Sequence, residues 1–119
     1  MIQITPHMKI LMAVEPADFR KGIDGLAALC RKVLKSDPFS GYVFVFRNKR
    51  ATALKILVYD GQGFWLCQKR LSHGRFTWRP PLTADGVRQL EAHELTLLLY
   101  NADPDKTKAQ PAWKKITMT

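Results

Sequence analysis

The sequence contains no hydrophobic run long enough to cross a membrane. Apolar runs such as YVFVF and LTLLLY are short, whereas a membrane-spanning helix needs about 20 apolar residues. The opening MIQITPHMKILMAVEP lacks the basic start, unbroken apolar core and small-residue cleavage site of a secretory signal. These absences predict a cytoplasmic protein without a membrane partner.

Cysteine and histidine are scarce, and their spacing does not fit a metal site. Cys30 and Cys67 are far apart and lie within apolar patterns, where small buried thiols are common. His7, His73 and His93 have no metal-ligand spacing with one another or with the cysteines. In a reducing compartment we expect no disulfide, and we expect no bound metal.

The sequence also lacks a recognisable catalytic constellation. Its 10 acidic residues are dispersed, with Asp18, Asp24 and Asp37 as the only loose cluster, whereas metal-dependent strand transfer needs converging carboxylates. A serine or cysteine nucleophile with histidine is found only by choosing partners freely. The segment DGQG is better explained as a hairpin turn than as a phosphate loop. We therefore expect no enzymatic activity and no cofactor.

Positive charge is abundant and is concentrated in the middle of the chain. The formal net charge is +9 over 119 residues, a length that fits one domain. Residues 47–79 contain eight basic and one acidic side chain, whereas residues 80–119 contain five of each. Such a basic segment is typical of proteins that meet a polyanion.

Hydrophobic periodicity predicts an α+β fold. The segment MKILMA (8–13) has the length and composition of a strand, and residues 23–34 carry apolar side chains at helical spacing after Asp18 as a helix cap. YVFVFR, LKILVY and residues 64–71 follow as strands, with connections too short for a crossover helix. We predict an antiparallel β-meander of about four to five strands packed against one long helix and one C-terminal helix.

The C-terminal part of the chain predicts a second helix and a tail. HGRFTW favours a further short strand that ends before Pro80. DGVRQLEAHELTLLLY then places its leucines on one side of a helix capped by Asp85. We expect residues 1–100 to form a single α+β domain, and the polar residues 101–119 to form a mobile tail unless Trp113 docks.

Four motifs in order resemble those of one known family. They are DFRKGIDGLA, DPFSGYVFVFRNKR, LKILVYDGQGFWLCQKRL and HGRFTW. Together, from Met8 to Tyr100, they resemble the accessory protein encoded by the second reading frame of insertion sequence sixty-six type bacterial transposable elements. The resemblance implies a small non-catalytic partner of a separate, larger transposase, and it carries over no catalytic residue. The chain departs from the family at Ala51-Thr52-Ala53, where relatives often show a glycine and an acidic residue.

Basic side chains within these motifs are candidates for phosphate contacts. A cation that neutralises a phosphate releases counterions, which makes binding strong and salt-sensitive. Arg20 and Lys21 precede a helix whose free amide groups suit a phosphate, although the nearby aspartates favour a structural turn instead. The candidate nucleic-acid-binding residues are Arg47, Lys49 and Arg50 on the first hairpin loop, Lys69, Arg70 and Arg75 on and after the third meander strand, and Arg20 and Lys21.

Aromatic residues lie among these cations. Tyr59, Trp65 and Trp78 are the best suited to stack on unpaired bases, because their rings tolerate partial exposure. Aromatic residues in strands more often belong to the core, and the sequence does not decide between these two interpretations.

The sequence leaves several functions open. The first is an accessory protein of DNA transposition that binds DNA, or a transposase–DNA complex, through a basic β-hairpin surface. The alternative is a protein-interaction subunit that recruits or stabilises the transposase, or other proteins of the same element, without contacting DNA. The sequence leaves the oligomeric state open under either function. The plainest interpretation of the basic residues is a solvated surface that only aids solubility. The third functional hypothesis is a small nuclease. The DNA-binding hypothesis predicts that replacing Arg47, Lys49 and Arg50 together by alanine weakens DNA binding without unfolding the domain.

Overall fold

Five strands and two helices make up the part of the chain that this computed structural model describes, which is Thr5 and residues 7–105. In chain order the elements are β1 (Ile10–Ala13), α1 (Ile23–Lys32), β2 (Val43–Arg47), β3 (Ala53–Tyr59), β4 (Phe64–Arg70), β5 (Val87–Leu90) and α2 (Ala92–Leu99). The strands form one sheet in the order β4-β3-β2-β1-β5. Within the described residues, neither helix is long and apolar enough to cross a membrane.

The three consecutive strands β2, β3 and β4 form the predicted antiparallel meander, with Phe44 opposite Leu57 in the first pair. The turn from β3 to β4 depends on Gly61, whose φ of +99° lies in the left-handed region that favours glycine. The Asp60 carboxylate accepts hydrogen bonds from the backbone N–H groups of Gln62 and Gly63, each at 2.9 Å. The Asp-Gly pair therefore forms the hairpin turn that the sequence predicts.

The sheet is mixed rather than purely antiparallel, which corrects the predicted fold. β1 is parallel to β2, with Ile10 opposite Val43, and β5 is antiparallel to β1. The connection between β1 and β2 contains α1, and such a crossover is what parallel neighbours require. The helices contain 10 and 8 residues, so neither is the long helix that was predicted.

Residues 87–90 form the edge strand β5, not the first turn of a helix as the sequence analysis predicts. Asp85 does not cap a helix, because it accepts hydrogen bonds from the Thr83 hydroxyl at 2.8 Å and the Val87 N–H at 3.3 Å within a turn. α2 begins later, after Glu91, whose backbone N–H donates to Glu94 Oε1 at 2.7 Å in a capping box.

One helix covers each face of the sheet. In β2, Phe44 and Phe46 pack on the α1 side, whereas Val43 and Val45 pack on the α2 side. Such alternation is typical of a central strand that is buried on both faces. All four are fully buried, and burial of a large apolar side chain contributes about 1.5–3 kcal/mol to folding.

The chain that follows β4 crosses the α2 side in an extended path. Residues 75–78 form no strand, contrary to the prediction for HGRFTW. Phe76 and Trp78 nevertheless belong to the core on that side, since both are buried against the α2 cluster. Their burial fixes the path of the neighbouring basic residues.

Residues immediately after α2 also contact the domain. The Asn101 side chain donates to the Arg75 carbonyl at 3.1 Å, and the Trp78 indole N–H donates to Asp105 at 3.1 Å. Residues 106–119, which make up the rest of the predicted tail, lie outside the described part of the chain.

Candidate nucleic-acid interface

Three connections meet at one end of the sheet. The parallel strands β1 and β2 both finish there, as does β4, whereas β3 and β5 begin there. The connections are residues 14–22 before α1, residues 48–52 between β2 and β3, and residues 71–86 between β4 and β5. We call these connections, together with the strand residues that border them, the basic end. The β3–β4 turn lies at the opposite end.

The loop between β2 and β3 presents two of the predicted residues. The Asn48 side-chain oxygen accepts hydrogen bonds from the backbone N–H groups of Thr52 at 2.9 Å and Ala53 at 3.1 Å. The Asn48 amide also donates to the Thr52 hydroxyl at 2.8 Å. These bonds close a tight loop, and Lys49 and Arg50 are exposed on it.

The connection after β4 places two more cations beside this loop. The backbone N–H groups of Leu71 and Phe76 donate to carbonyl groups of the β2–β3 loop at 2.9 and 2.7 Å. Arg70 ends β4 and Arg75 precedes Phe76, and both side chains are exposed. The two predicted segments are therefore neighbours in space.

The connection before α1 is held in place by a buried lysine of β3. Lys55 is 8% exposed, and its Nζ donates to the carbonyls of Phe19 at 3.0 Å and Lys21 at 3.3 Å. Its Nζ also lies 4.9 Å from the centre of the Phe19 ring. A Cβ on Gly25 would lie 2.8 Å from Lys21 Cβ, so glycine lets the Lys21 side chain cross the first turn of α1. Lys55 thus brings the segment with Arg20 and Lys21 to the basic end.

Arg20 is paired with a carboxylate. Its Nη2 lies 2.8 Å from Asp18 Oδ2, and its backbone N–H donates to Asp18 Oδ1 at 2.9 Å. These hydrogen bonds from Arg20 lower the pKa of Asp18 to about 2, and the side-chain bond has the largest effect. Asp18 and Arg20 thus form an ion pair in the connection before α1. The predicted helix cap is wrong, because the residue before the first turn of α1 is Gly22, which has no side chain to cap the helix.

Arg47 is buried, which corrects its predicted place on the exposed loop. It is the last residue of β2 and is 7% exposed. Its Nη2 donates to the Val14 carbonyl at 3.0 Å, and its own carbonyl accepts the Ala17 N–H at 2.8 Å. Burial is the main cause that lowers the pKa of Arg47. The positive charge of the nearby Arg79 lowers it further, while the negative charge of Glu15 opposes this shift. Alanine here would leave a buried carbonyl unpaired, so Arg47 does not belong in a variant meant to spare folding.

Lys69 is directed away from its neighbour Arg70, because successive strand residues point to opposite faces. The Lys69 Nζ donates to the Leu99 carbonyl at the C-terminal end of α2 and lies 5.4 Å from the centre of the Tyr100 ring. A cation suits the carbonyl groups that end a helix. Lys69 therefore contacts α2 on the face of the sheet opposite to Arg70.

Several predicted residues remain exposed and unpaired at the basic end. None of them forms an ion pair with a carboxylate in the part of the chain that the structure describes. They are Lys21, Lys49, Arg50, Arg70 and Arg75.

Arg79 is a further exposed cation at the basic end, and it is not among the residues predicted from the sequence. It is exposed, and it lines an open groove together with Arg47 and Lys49. Its position within the basic segment, between Trp78 and Pro80, was the feature of the sequence that could have identified it.

The aromatic residues considered for base stacking do not line this surface. Tyr59 packs edge-on against Phe39, with ring centres 4.9 Å apart, at the opposite end of the sheet. Trp65 lies near that end, and its indole N–H donates to Asp60 at 2.8 Å. Trp78 is 9% exposed. The basic end is thus a surface of cations rather than of rings.

No group of three or more His, Cys, Asp or Glu side chains among the described residues is placed to hold a metal ion. The fold and this surface define a small α+β protein with exposed cations from separate connections at one end of a mixed sheet. Residues 8–109 match the family model described as IS66 Orf2 like protein, and the chain belongs to this family. The family is one of accessory proteins associated with transposition.

Two relatives come from Sinorhizobium fredii (strain NBRC 101917 / NGR234). The uncharacterized protein y4jC is 37% identical over 111 residues, which cover 93% of either chain. The uncharacterized protein y4hO is 36% identical over 97 residues, covering 82% of this chain and 83% of the relative. No solved structure matches the chain significantly.

Proposed function

We propose that this protein binds DNA, alone or in a complex with the transposase of its element, through the basic end, and performs no chemistry itself. The observation that carries this proposal is the convergence of exposed cations from separate parts of the chain. Lys21, Lys49, Arg50, Arg70 and Arg75 are brought together by the fold and have no ion-pair partner among the described carboxylates. The cytoplasmic location predicted from the sequence belongs to the same proposal.

The local charge balance favours a polyanion as the partner. Acidic residues of the three connections are Glu15, Asp18 and Asp85, and Asp18 is already paired with Arg20. The remaining cations outnumber the acidic groups, which creates a positive field over this end of the molecule. Because the connections are held by hydrogen bonds to one another and to the sheet, little ordering of the backbone is needed for binding.

One observation favours the alternative of a protein-interaction subunit. Tyr100 is 77% exposed at the end of α2, beside an open groove between β4 and α2. Ile56, Cys67 and Leu99 line this groove, and aromatic and aliphatic side chains are common at the centres of protein interfaces. The groove lies on the α2 side, so a transposase contact there leaves the basic end available for DNA.

A DNA titration at several salt concentrations tests the proposal. With about five phosphate contacts, the logarithm of the binding constant for duplex DNA should fall with log salt concentration with a slope of roughly −4 to −5. Fluorescence anisotropy of a labelled duplex, repeated with a labelled single strand, measures this slope and the preferred form. If neither DNA binds at low salt while the purified transposase still captures the protein, the alternative replaces the proposal.

A further inference from the structure

An open groove at the basic end brings three cations of different origin together. It has a volume of about 560 Å³, and its walls include Glu15, Arg47, Lys49, Arg79 and Pro80. Arg47 comes from the end of β2, Lys49 from the β2–β3 loop, and Arg79 from the connection that follows β4.

Arg47 carries an unused donor beside this groove. Its side chain donates to the Val14 carbonyl through Nη2, yet its buried Nε has no hydrogen-bond partner among the described residues. A guanidinium has five N–H donors, and a buried donor without a partner calls for a specific explanation, such as a bound ion or water. The Arg47 guanidinium thus retains hydrogen-bonding capacity at a wall of the groove.

The charges around the groove are not balanced by the protein. Arg79 lies close enough to Arg47 to lower its pKa by repulsion. Glu15 also lines the groove, but it forms no ion pair with any cation among the described residues. Three cations therefore face one carboxylate, and an anion between the arginines would relieve their repulsion.

We propose that this groove is a discrete phosphate-binding site, with the Arg47 guanidinium at its inner wall and Arg79 and Lys49 at its open side. Planar guanidinium groups match the tetrahedral oxygens of a phosphate with paired hydrogen bonds, and lysine adds a compact charge. This inference rests on the proposed function and deepens it, because it names one point at which the DNA backbone is held. The remaining exposed cations of the basic end supply the other phosphate contacts of the proposed function.

Inorganic phosphate is the first probe, and the full chain is the sample. At constant ionic strength adjusted with chloride, phosphate should raise the melting temperature of the parent, because a ligand that binds the folded state stabilises it. Arg79→Gln should weaken the apparent phosphate affinity by about tenfold, the loss expected when one of two arginine forks is removed. Arg79 is exposed, so the variant should melt in chloride within about 2 °C of the parent.

Arg75→Gln is the matched control. Arg75 is also exposed at the basic end and carries the same charge, but it does not line the groove. It should leave the phosphate affinity within about twofold of the parent, because a charge that does not line the groove is screened by salt. Absence of any phosphate effect on the parent, or an equal loss in both variants, would overturn the discrete site.

A short DNA duplex is the second probe and separates the two proposals. Arg79→Gln should weaken duplex binding more than Arg75→Gln does. Equal weakening would overturn the discrete site and leave DNA binding by the basic end intact. Failure of the parent to bind DNA would overturn the proposed function, and the phosphate measurement would then decide the site independently.

Discussion

Replacement of Lys49, Arg50, Arg70 and Arg75 by glutamine should weaken DNA binding at about 0.1 M salt by at least about a hundredfold. Each phosphate contact that releases a counterion contributes up to roughly tenfold under these conditions, and the four side chains lie on neighbouring connections. The pairs Lys49/Arg50 and Arg70/Arg75 should each account for about tenfold or more. Fluorescence anisotropy with one labelled duplex measures all three variants.

A matched control removes the same charge as each pair from elsewhere on the molecule. Lys9 and Arg31 are both exposed. Lys9 lies 5.0 Å from the centre of the Tyr42 ring, and Arg31 lies 5.9 Å from the centre of the Phe39 ring, which packs near the end opposite the basic end. The variant with glutamine at both positions should bind DNA within about threefold of the parent, since distant charges are screened by salt. Equal losses in the control and the basic-end pairs would show that net charge alone governs binding.

Glu94→Ala should lower the free energy of unfolding by about 3–5 kcal/mol, the range observed when one partner of a buried ion pair is removed. Glu94 is 2% exposed, accepts the Glu91 N–H at 2.7 Å and lies 3.4 Å from Arg88 Nη2. Alanine removes the capping box of α2 and leaves Arg88 with Asp105 alone, 2.8 Å away, as its ion-pair partner among the described residues. Urea denaturation followed by circular dichroism measures the change.

Two further variants test the cause of this loss. Glu94→Gln keeps an oxygen that can accept the Glu91 N–H but removes the charge, so it should destabilise the protein by less than Glu94→Ala. Glu15→Ala removes an exposed carboxylate and should change stability by no more than about 0.5 kcal/mol. A Glu94→Ala variant that is as stable as the Glu15→Ala variant would contradict the described network.

The sequence predicts the centre of the sheet well because the evidence there is local. Alternation of Phe44 and Phe46 with Val43 and Val45 identifies a strand that is buried on both faces, and Asp60-Gly61 identifies the turn between β3 and β4. The order of the outer strands depends on contacts between distant segments. A strand, a helix and a strand in succession could have predicted the parallel β1–β2 pair, because a crossover of this length permits it.

The apolar spacing typical of a helix begins in the sequence several residues before α2 begins in the structure. Val87 and Leu90 fit the apolar spacing of α2, yet they pair with β1 as an edge strand. The spacing of Glu91 and Glu94 was the overlooked signal, since an acidic residue at the third helical position accepts the N–H of the capping residue.

Burial distinguishes the cations of the basic segment 47–79 from one another in a way that charge alone does not. Lys55 lies between apolar residues of β3 on the same face as Leu57, so its position in an alternating strand indicated burial. Arg47 offers no comparable local signal. It is covered because the chain after β1, about 30 residues earlier, supplies the Val14 carbonyl and the Ala17 N–H.

The central claim is that DNA meets the end of the sheet where residues 14–22, 48–52 and 70–79 come together. A titration of the ¹⁵N-labelled protein with a short duplex, followed by amide NMR, tests it most directly. We expect the largest chemical-shift changes in these three segments and little change in the turn 60–63 at the other end. Changes concentrated in that turn, or in the groove between β4 and α2, would contradict the claim.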